Sequence, residues 1–374
     1  MFDRRGRLRV AGALALAGVA GALALAGVAG AVSAQAPPQS APVKVGYVYV
    51  SPIGDAGWTF QHDQGRKQME AALGNKVQTK YVENVAEGPD AERVIRELAQ
   101  SGNDIIFTTS FGYMNPTEKV SKQFPKVKFA HATGYKTGPN MANYNARFYE
   151  GRYLTGIIAG KMTKTNVLGY VAAFPIPEVL QGINAFARGA RSVNPKAEVR
   201  VIWVNSWYDP GKEREAANTL IAQGADVVTN HTDSTSVVQA AEEKGKYAIG
   251  YHSDMAKYGP KAQLTASTHQ WGEFYTKTVS DVLAGTWKTT DVWGGMKDGM
   301  VRLAPLNPAI PADVKALVTK LEAEIKAGTL HPFAGPVVDQ EKKTRVPAGR
   351  NMTDDELGKM DYYVEGVAGR VPKN

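Results

Sequence analysis

The sequence predicts an α/β protein in which two doubly wound parallel-sheet lobes form a ligand cleft between them. From Val43 onward, short apolar segments alternate with amphipathic helical patterns, as expected for parallel strands that helices cover on both faces. The same alternation starts again after Glu150, which predicts a second lobe. Polar and aromatic residues follow the apolar segments. Because ligands bind beyond the carboxyl ends of parallel strands, these residues are expected to face the cleft.

The first strand–loop–helix unit shows the pattern most clearly. The apolar run Val43–Val50 predicts a buried strand that ends at a Ser-Pro-Ile-Gly break, and a helical pattern begins near Gln61. The loop between them places Asp55 and Trp58 three residues apart. A carboxylate accepts hydrogen bonds from N–H donors, and an indole ring can stack on a planar ligand. The alternative is that Asp55 caps the helix and Trp58 belongs to the core.

The remaining elements follow from periodicity and from start signals such as Asp209-Pro210, where Asp is a good N-cap and Pro a good first helical residue. Short apolar runs between turn residues predict the strands. The predicted helices cover 90–101, 116–124, 150–162, 179–192, 209–223, 234–244, 271–284 and 311–327, and the predicted strands cover 76–85, 104–108, 127–131, 167–171, 199–205, 225–229, 247–251 and 264–268. Residues 331–374 are rich in Gly, Pro and charge and are expected to form a C-terminal tail that packs on a lobe. A partly mobile tail is the alternative.

Residues 1–36 have the pattern of a secretory signal peptide. Four arginines precede a long apolar tract rich in Ala and Gly, and small-residue cleavage patterns end at Ala34 and Ala36. The chain contains no cysteine, which excludes a disulfide framework, a thiolate metal site and lipid attachment at a cysteine. We therefore expect a periplasmic protein with a cleaved signal peptide. An uncleaved membrane anchor is the alternative, because the tract is long.

Charge and motif content argue against nucleic-acid binding and against catalysis. The formal net charge of +8 falls to +5 without the signal peptide, and the basic residues are scattered, whereas a nucleic-acid footprint clusters them. Phosphate-loop, dinucleotide, zinc-protease and nucleophile-elbow motifs are absent from the sequence. The six histidines lack metal-ligand spacing, so we expect no metal and no cofactor. His231 and His252 lie at strand ends, where either a cleft role or a structural role is open.

Two tryptophans at strand ends, one in each predicted lobe, suggest how a ligand is held. Trp58 follows the first strand of the first lobe, and Trp207 follows the second strand of the second lobe. Two such rings can sandwich a flat heterocycle, and stacking contributes about 1–3 kcal/mol per base. Four residues at strand ends or loops can bond to the edge of such a ligand: Asp55, Asn230, Asp233 and Asp254. Packing is the alternative for Trp207, and capping a turn is the alternative for Asp254.

Four segments carry a resemblance to a known family. They are DAGWTFQHDQG at 55–65, FYEGRYLTG at 148–156, GYHSD at 250–254 and KDGMV at 297–301. Together they resemble the basic membrane protein family, the substrate-binding components of ABC importers, several known members of which bind purine nucleosides. The similarity extends from about residue 43 to residue 303.

The resemblance implies a type I periplasmic-binding-protein fold, in which three crossing segments join two lobes. Lobe 1 is then expected to span residues 43–147 with 253–290, and lobe 2 to span 148–252 with 291–330.

The resemblance also implies particular ligand contacts. Trp58 and Trp207 match the two rings that sandwich the base, and both are Trp where Phe is usual in the family. Thr59 stands where the family often has Asn. Asp55 and Asp254 match two family acids, and Phe111-Gly112 matches a loop that lines the base. Since the larger rings narrow the cleft, a free base is expected to suit it better than a nucleoside.

The sequence therefore predicts an exported receptor, monomeric, that carries a purine base or nucleoside to an ABC permease in the inner membrane. One alternative is that the same fold binds a non-purine solute or acts as a periplasmic sensor. A less favoured alternative is an exported nucleoside-processing enzyme, which needs an acid–base pair or a metal that no motif supplies.

Overall fold

The computed structural model of the protein describes residues 41–372. The predicted signal peptide, residues 1–36, lies outside the described residues. Within residues 41–372, no helix is both long and apolar enough to span a membrane.

Lobe 1 is built on a six-stranded, fully parallel sheet with the strand order β11-β5-β4-β3-β1-β2. Helices α1 and α8 pack together on this lobe, and α2 packs against α3. The strands are β1 (Val43–Val48), β2 (Val77–Val82), β3 (Ile105–Thr108), β4 (Lys128–Ala132), β5 (Met141–Ala146) and β11 (Asp291–Gly294), and the helices are α1 (Trp58–Leu73), α2 (Pro89–Gln100), α3 (Met114–Gln123) and α8 (Gly272–Leu283).

Lobe 2 is built on a seven-stranded sheet with the order β12-β10-β9-β8-β6-β7-β15, in which only β12 runs antiparallel to its neighbour. The strands are β6 (Val167–Ala172), β7 (Glu198–Trp203), β8 (Val227–His231), β9 (Tyr247–His252), β10 (Gln263–His269), β12 (Val301–Leu303) and β15 (Val367–Ala368), and the helices are α4 (Phe148–Met162), α5 (Pro177–Val193), α6 (Pro210–Ala222), α7 (Ser236–Glu243) and α9 (Ala312–Ala327).

Small residues allow α4 and α5 to pack with their backbones close together. A Cβ atom at Gly156 would lie 2.1 Å from the carbonyl oxygen of Phe186, and one at Gly189 would lie 2.0 Å from that of Tyr153. Only glycine fits such approaches. The tight helix pair fixes the start of α5, which reaches the cleft.

The tail folds against lobe 2 and carries β13 (Val337–Val338), β14 (Thr344–Val346) and α10 (Asp354–Gly358). Its last strand, β15, pairs in parallel with β7. Arg147 donates two hydrogen bonds of 2.7 Å to the carboxylate of Asp354. The tail thus adds an edge strand to the second sheet and packs against the second lobe.

The structure differs from the predicted lobe boundaries at two strands. β10 pairs with β9 in the second sheet, although residues 253–290 were expected to complete lobe 1. β11 pairs with β5 in the first sheet, although residues 291–330 were expected to complete lobe 2. The chain therefore crosses between the sheets after β5, after β10 and after β11. Apolar runs show where strands are, but they do not show which sheet each strand joins.

Candidate functional site

The carboxyl ends of both sheets contribute to one cleft. In lobe 1 its wall comes from the loops after β1, β3 and β4, and in lobe 2 from the start of α5 and the segments that follow β7, β8 and β9. The strands at which the order of each sheet reverses, β1 and β6, lead into this wall, as expected for an open α/β sheet. The lining residues are Val50, Trp58, Ser110, Phe111, Thr133, Glu178, Trp207, His231, Asp233 and His252.

Trp58, the first residue of α1, lies in the lobe 1 wall and is 6% exposed. Its indole N–H donates a 2.7 Å hydrogen bond to the carbonyl oxygen of Thr109. The imidazole of His252 from lobe 2 packs against it edge-to-face at 5.1 Å between ring centroids. The helix begins at Trp58 and not near Gln61 as the periodicity predicted, and this places the ring at the end of the sheet.

Trp207 lies in the lobe 2 wall, on the loop between β7 and α6, and is partly buried. Its indole N–H donates a 3.1 Å hydrogen bond to Oε1 of Glu87. Phe174 supports the ring edge-to-face at 5.0 Å between centroids. The structure therefore brings the two predicted tryptophans, one from each lobe, to the same cleft.

Glu87, which follows β2, connects the two lobes. The same Oε1 that bonds to Trp207 accepts hydrogen bonds from the Ser110 hydroxyl at 2.5 Å and from the Gly112 backbone N–H at 2.8 Å. Phe111 lines the cleft, whereas Gly112 acts through its backbone bond to Glu87. Glu87 was not predicted as a site residue, although it is a polar residue shortly after the strand predicted over 76–85.

Asp233 brings a buried carboxyl group into the cleft wall. One oxygen lies 3.6 Å from Nε2 of His252, and the other accepts a 3.4 Å hydrogen bond from the Ser51 hydroxyl. Burial, and secondarily repulsion from the carboxylate of Glu213, raises the pKa of Asp233 well above its ordinary value. Burial lowers the pKa of His252 well below its ordinary value, with nearby His269 adding to the effect. The two groups therefore tend to be neutral together.

Glu178 is the second acid in the wall, in the first turn of α5. Its Oε1 lies 3.4 Å from Nε2 of His231. Burial raises the pKa of Glu178 to about 8. Burial, together with the charge of Arg152, lowers the pKa of His231 well below its ordinary value. Glu178 was not predicted as a site residue, because it lies directly before the predicted helix 179–192 and no pattern in the sequence marks it as buried.

Other predicted site residues support the cleft from behind its wall. Asn230 is fully buried and donates a 2.9 Å hydrogen bond to the carbonyl oxygen of Thr232. Thr59 is buried in α1, with its hydroxyl 2.7 Å from that of Ser51. Neither residue is part of the cleft lining.

The structure does not bring Asp55 and Asp254 into the cleft wall. The Asp55 side chain is 69% exposed and accepts hydrogen bonds of 3.1 Å from Lys257 and from the Tyr258 hydroxyl, which belong to the opposite lobe. Asp254 is exposed and accepts hydrogen bonds from the Ala256 N–H and from Gln263. A loop position shows that a side chain is near a strand end, but not the direction in which it points.

The described part of the chain holds no group of three or more side chains arranged to bind a metal ion. The cleft wall presents two indole rings, two carboxyl groups and two imidazoles, contributed by both lobes.

Comparisons with known proteins define the class. Residues 42–330 match the Bmp family model, described as ABC transporter substrate-binding protein, PnrA-like, so the chain belongs to this family of substrate-binding proteins. The family predicted from the four sequence segments is confirmed.

Two relatives and one solved structure illustrate the match. A purine-binding protein of Brucella abortus is 54% identical over 88% of this chain and 94% of that protein. A relative in Haloferax volcanii, named for glucose binding in an ABC transporter, is 41% identical over 90% of this chain and 83% of that protein. A solute-binding protein of Aeropyrum pernix K1 has the same fold, with a TM-score of 0.69 and 21% identity over 78% of this chain and 93% of that chain. The predicted two-lobe, type I fold is confirmed.

Proposed function

We propose that this protein is the exported solute-binding component of an ABC importer and that it binds a purine base or nucleoside between its lobes. The observation that carries the proposal is the presence of Trp58 from lobe 1 and Trp207 from lobe 2 in one cleft wall. A flat heteroaromatic ligand offers two faces to such rings and a polar edge to the acids Glu178 and Asp233. The 54% identical relative named for purine binding supports the same class of ligand.

The closeness of the two walls favours a free base over a nucleoside. Trp58 from lobe 1 and His252 from lobe 2 pack edge-to-face with 5.1 Å between their ring centroids, and Trp207 bonds to Glu87 of the opposite lobe. The indole N–H groups of both tryptophans already donate to Thr109 and Glu87. The rings therefore offer their faces to a ligand, and a ribose would need space and hydroxyl partners in addition.

The lack of a cationic side chain among the described lining residues favours a ligand without a phosphate group. Within residues 41–372, neither Lys nor Arg lines the cleft, while Glu178 and Asp233 do. A phosphate would meet two acids and no cation, and phosphate sites in proteins are built from Arg, Lys and N–H groups. We therefore expect nucleotides to bind far more weakly than bases.

Export and delivery are part of the proposal. The basic and apolar pattern of residues 1–36 supports cleavage of a signal peptide and release into the periplasm. The family supports a permease in the inner membrane as the partner that receives the ligand. N-terminal sequencing of the periplasmic protein tests cleavage, and size-exclusion chromatography with light scattering tests the expected monomer.

The ligand is tested by a melting-temperature screen of residues 37–374 against purine and pyrimidine bases, their nucleosides, AMP, glucose and amino acids. A ligand at 100 times its Kd adds about 2.7 kcal/mol of stability, which is readily visible. We expect purine bases to raise the melting temperature most, with calorimetry giving the Kd. A response to other solutes and none to purines would overturn the ligand assignment and leave the family assignment intact.

Glucose is the second candidate, because a 41% identical relative carries that name. Aromatic rings and carboxyl groups also suit a sugar, whose C–H face packs on indole and whose hydroxyls bond to acids. A melting shift with glucose that exceeds the shift with every purine would favour this candidate. Chromatography of nucleosides incubated with the protein is expected to show no turnover.

A further inference from the structure

The carboxyl group of Glu178 in the cleft wall has an oxygen without a hydrogen-bond partner among the described residues. The Glu178 side chain is 12% exposed, and its Oε2 has no hydrogen-bond partner among the described residues. Its Oε1 is 3.4 Å from Nε2 of His231, whose Nδ1 is also buried without a partner in the described chain. Buried polar atoms are normally satisfied, so unsatisfied atoms at the wall of a cleft point to a ligand.

The surroundings of Glu178 keep it neutral. The titratable and charged groups around Glu178 are His231 on β8, Tyr170 on β6, Tyr251 on β9 and Arg152 on α4, and Asp233 and His252 line the same cleft. The guanidinium of Arg152 donates a 2.9 Å hydrogen bond to the hydroxyl of Thr229, and its central carbon lies 3.4 Å from the centroid of the Tyr251 ring. Among the described residues, His231 alone lies within ion-pair distance of Glu178. Burial raises the pKa of Glu178 to about 8 and keeps the pKa of His231 low, so Glu178 carries its proton at pH 7.

A protonated carboxyl group presents a donor beside an acceptor, whereas a carboxylate presents acceptors only. A purine with an amino group at position 6 presents the matching pair, a donor beside a ring-nitrogen acceptor. A 6-oxopurine presents the same pair in the opposite order. Unsubstituted purine has the ring nitrogen N1 as an acceptor but carries no hydrogen-bond donor at position 6.

We propose that Glu178 is the specificity-determining residue of the cleft and selects 6-amino- and 6-oxopurines through the donor–acceptor pair at the six-position edge of the base. The inference rests on the proposed function, because it assumes that the cleft holds a purine. A ligand without the pair leaves the buried carboxyl group partly unsatisfied, which costs affinity.

Substitutions at this position separate the hydrogen-bond pattern from the charge. In Glu178→Gln the amide keeps a donor beside an acceptor and cannot ionise, and Gln is known to pair with adenine in this way. Glu178→Leu removes both groups. Glu273→Gln makes the same chemical change on α8 at a carboxylate whose side chain is 86% exposed, and it is the matched control.

The experiment is calorimetric titration with adenine, hypoxanthine and unsubstituted purine at pH 6.5 and pH 8.5. We expect adenine and hypoxanthine to bind at least about tenfold more tightly than unsubstituted purine. If only the protonated form binds, a pKa of about 8 predicts that the Kd for adenine rises about fourfold between the two pH values. We expect this rise in Kd to persist in the control Glu273→Gln and to vanish in Glu178→Gln. We expect Glu178→Leu to lose the preference for adenine and hypoxanthine over unsubstituted purine.

Two results would overturn the inference while purine binding stands: equal affinity of the wild type for adenine and unsubstituted purine, or an alkaline loss that is as large in Glu178→Gln as in the wild type. Absence of binding by every purine would overturn the proposed function itself, and this inference with it. Circular dichroism checks the fold of each variant, and Glu178→Gln decides the question if Glu178→Leu does not fold.

Discussion

At the scale of single residues, the two cleft tryptophans are held in place before any ligand contact is considered. Trp58 donates its N–H to a carbonyl oxygen of its own lobe, and Trp207 donates to Glu87 of the opposite lobe. These bonds fix the ring planes, and a fixed ring loses little freedom when it stacks on a ligand.

We expect Trp58→Ala and Trp207→Ala each to weaken purine binding by about 1–3 kcal/mol, because each removes one stacking face. Calorimetric titration with the preferred base measures the change. Trp287→Ala is the matched control, because Trp287 packs against the core outside the cleft lining. Equal losses in all three variants would contradict the sandwich.

The stability of the protein is expected to depend on pH through Glu178. The pKa of Glu178 is about 8 in the folded state, against 4.5 ordinarily. Between pH 4.5 and pH 8, Glu178 therefore binds its proton more strongly in the folded state than in the unfolded state. Stability therefore falls as pH rises through this window. Glu178→Gln lacks this contribution, and we expect its free energy of unfolding to rise relative to that of the wild type between pH 5 and pH 8. Urea denaturation at both pH values measures it, and a constant difference would refute the assignment.

The sequence identified Trp58, Phe111, Trp207 and Asp233 as cleft residues because each follows a strand, and the structure places all four in the lining. It missed Glu178, whose importance comes from burial by other elements and not from any local pattern. Burial depends on contacts distant in sequence, and these are what a single sequence conveys least.

At the scale of elements, the loop before α1 brings the backbones of the two lobes into close contact. The Gly57 N–H donates a 2.8 Å hydrogen bond to the hydroxyl of Ser253. A Cβ atom at Gly57 would lie 2.0 Å from the carbonyl oxygen of Asp233, and its φ is +98°. This glycine therefore allows the two lobes to meet beside the cleft.

We expect Gly57→Ala to hold the lobes apart and to weaken ligand binding about tenfold or more, since backbone atoms cannot yield to a Cβ at this distance. Gly54→Ala is the matched control in the same loop: its φ is +55°, and a Cβ there would meet nothing within 4 Å. Calorimetry gives the affinities, and small-angle scattering with ligand gives the separation of the lobes. Similar affinities for the two variants would show that contact at Gly57 is dispensable.

The element pattern was predictable where apolar runs are strong and less so where they are not. The helix predicted over 311–327 begins one residue later, at Ala312, and ends at Ala327. β5, with the sequence MANYNA, was not predicted, because its alternating Asn residues weaken the apolar signal. The partners of β10 and β11 could not be predicted either, because sheet membership is decided by packing of the whole chain.

At the scale of the whole molecule, the tail completes the second lobe. The fully buried side chain of Asn184 on α5 donates a 2.8 Å hydrogen bond to the carbonyl oxygen of Tyr362 and accepts a 3.0 Å bond from the N–H of Val364. Arg188 on the same helix donates to the carbonyl oxygens of Pro332 and Ala334. These bonds satisfy tail backbone groups that strand pairing does not reach.

We expect Asn184→Ala to lower the free energy of unfolding by about 1–3 kcal/mol, because it leaves buried tail groups without partners. Asn75→Ala, at an exposed position, is the control and is expected to have little effect. Urea denaturation measures both. If the two variants are equally stable, the tail contributes less to lobe 2 than its bonds indicate.

The hydrogen bond between Trp207 and Glu87 has a kinetic consequence. Since it joins the lobes beside the cleft, we expect a bound ligand to leave only after this bond has broken. If opening of the lobes limits release, ligands of different affinity are expected to dissociate at similar rates. A permease that accelerates opening would then determine when the ligand is released.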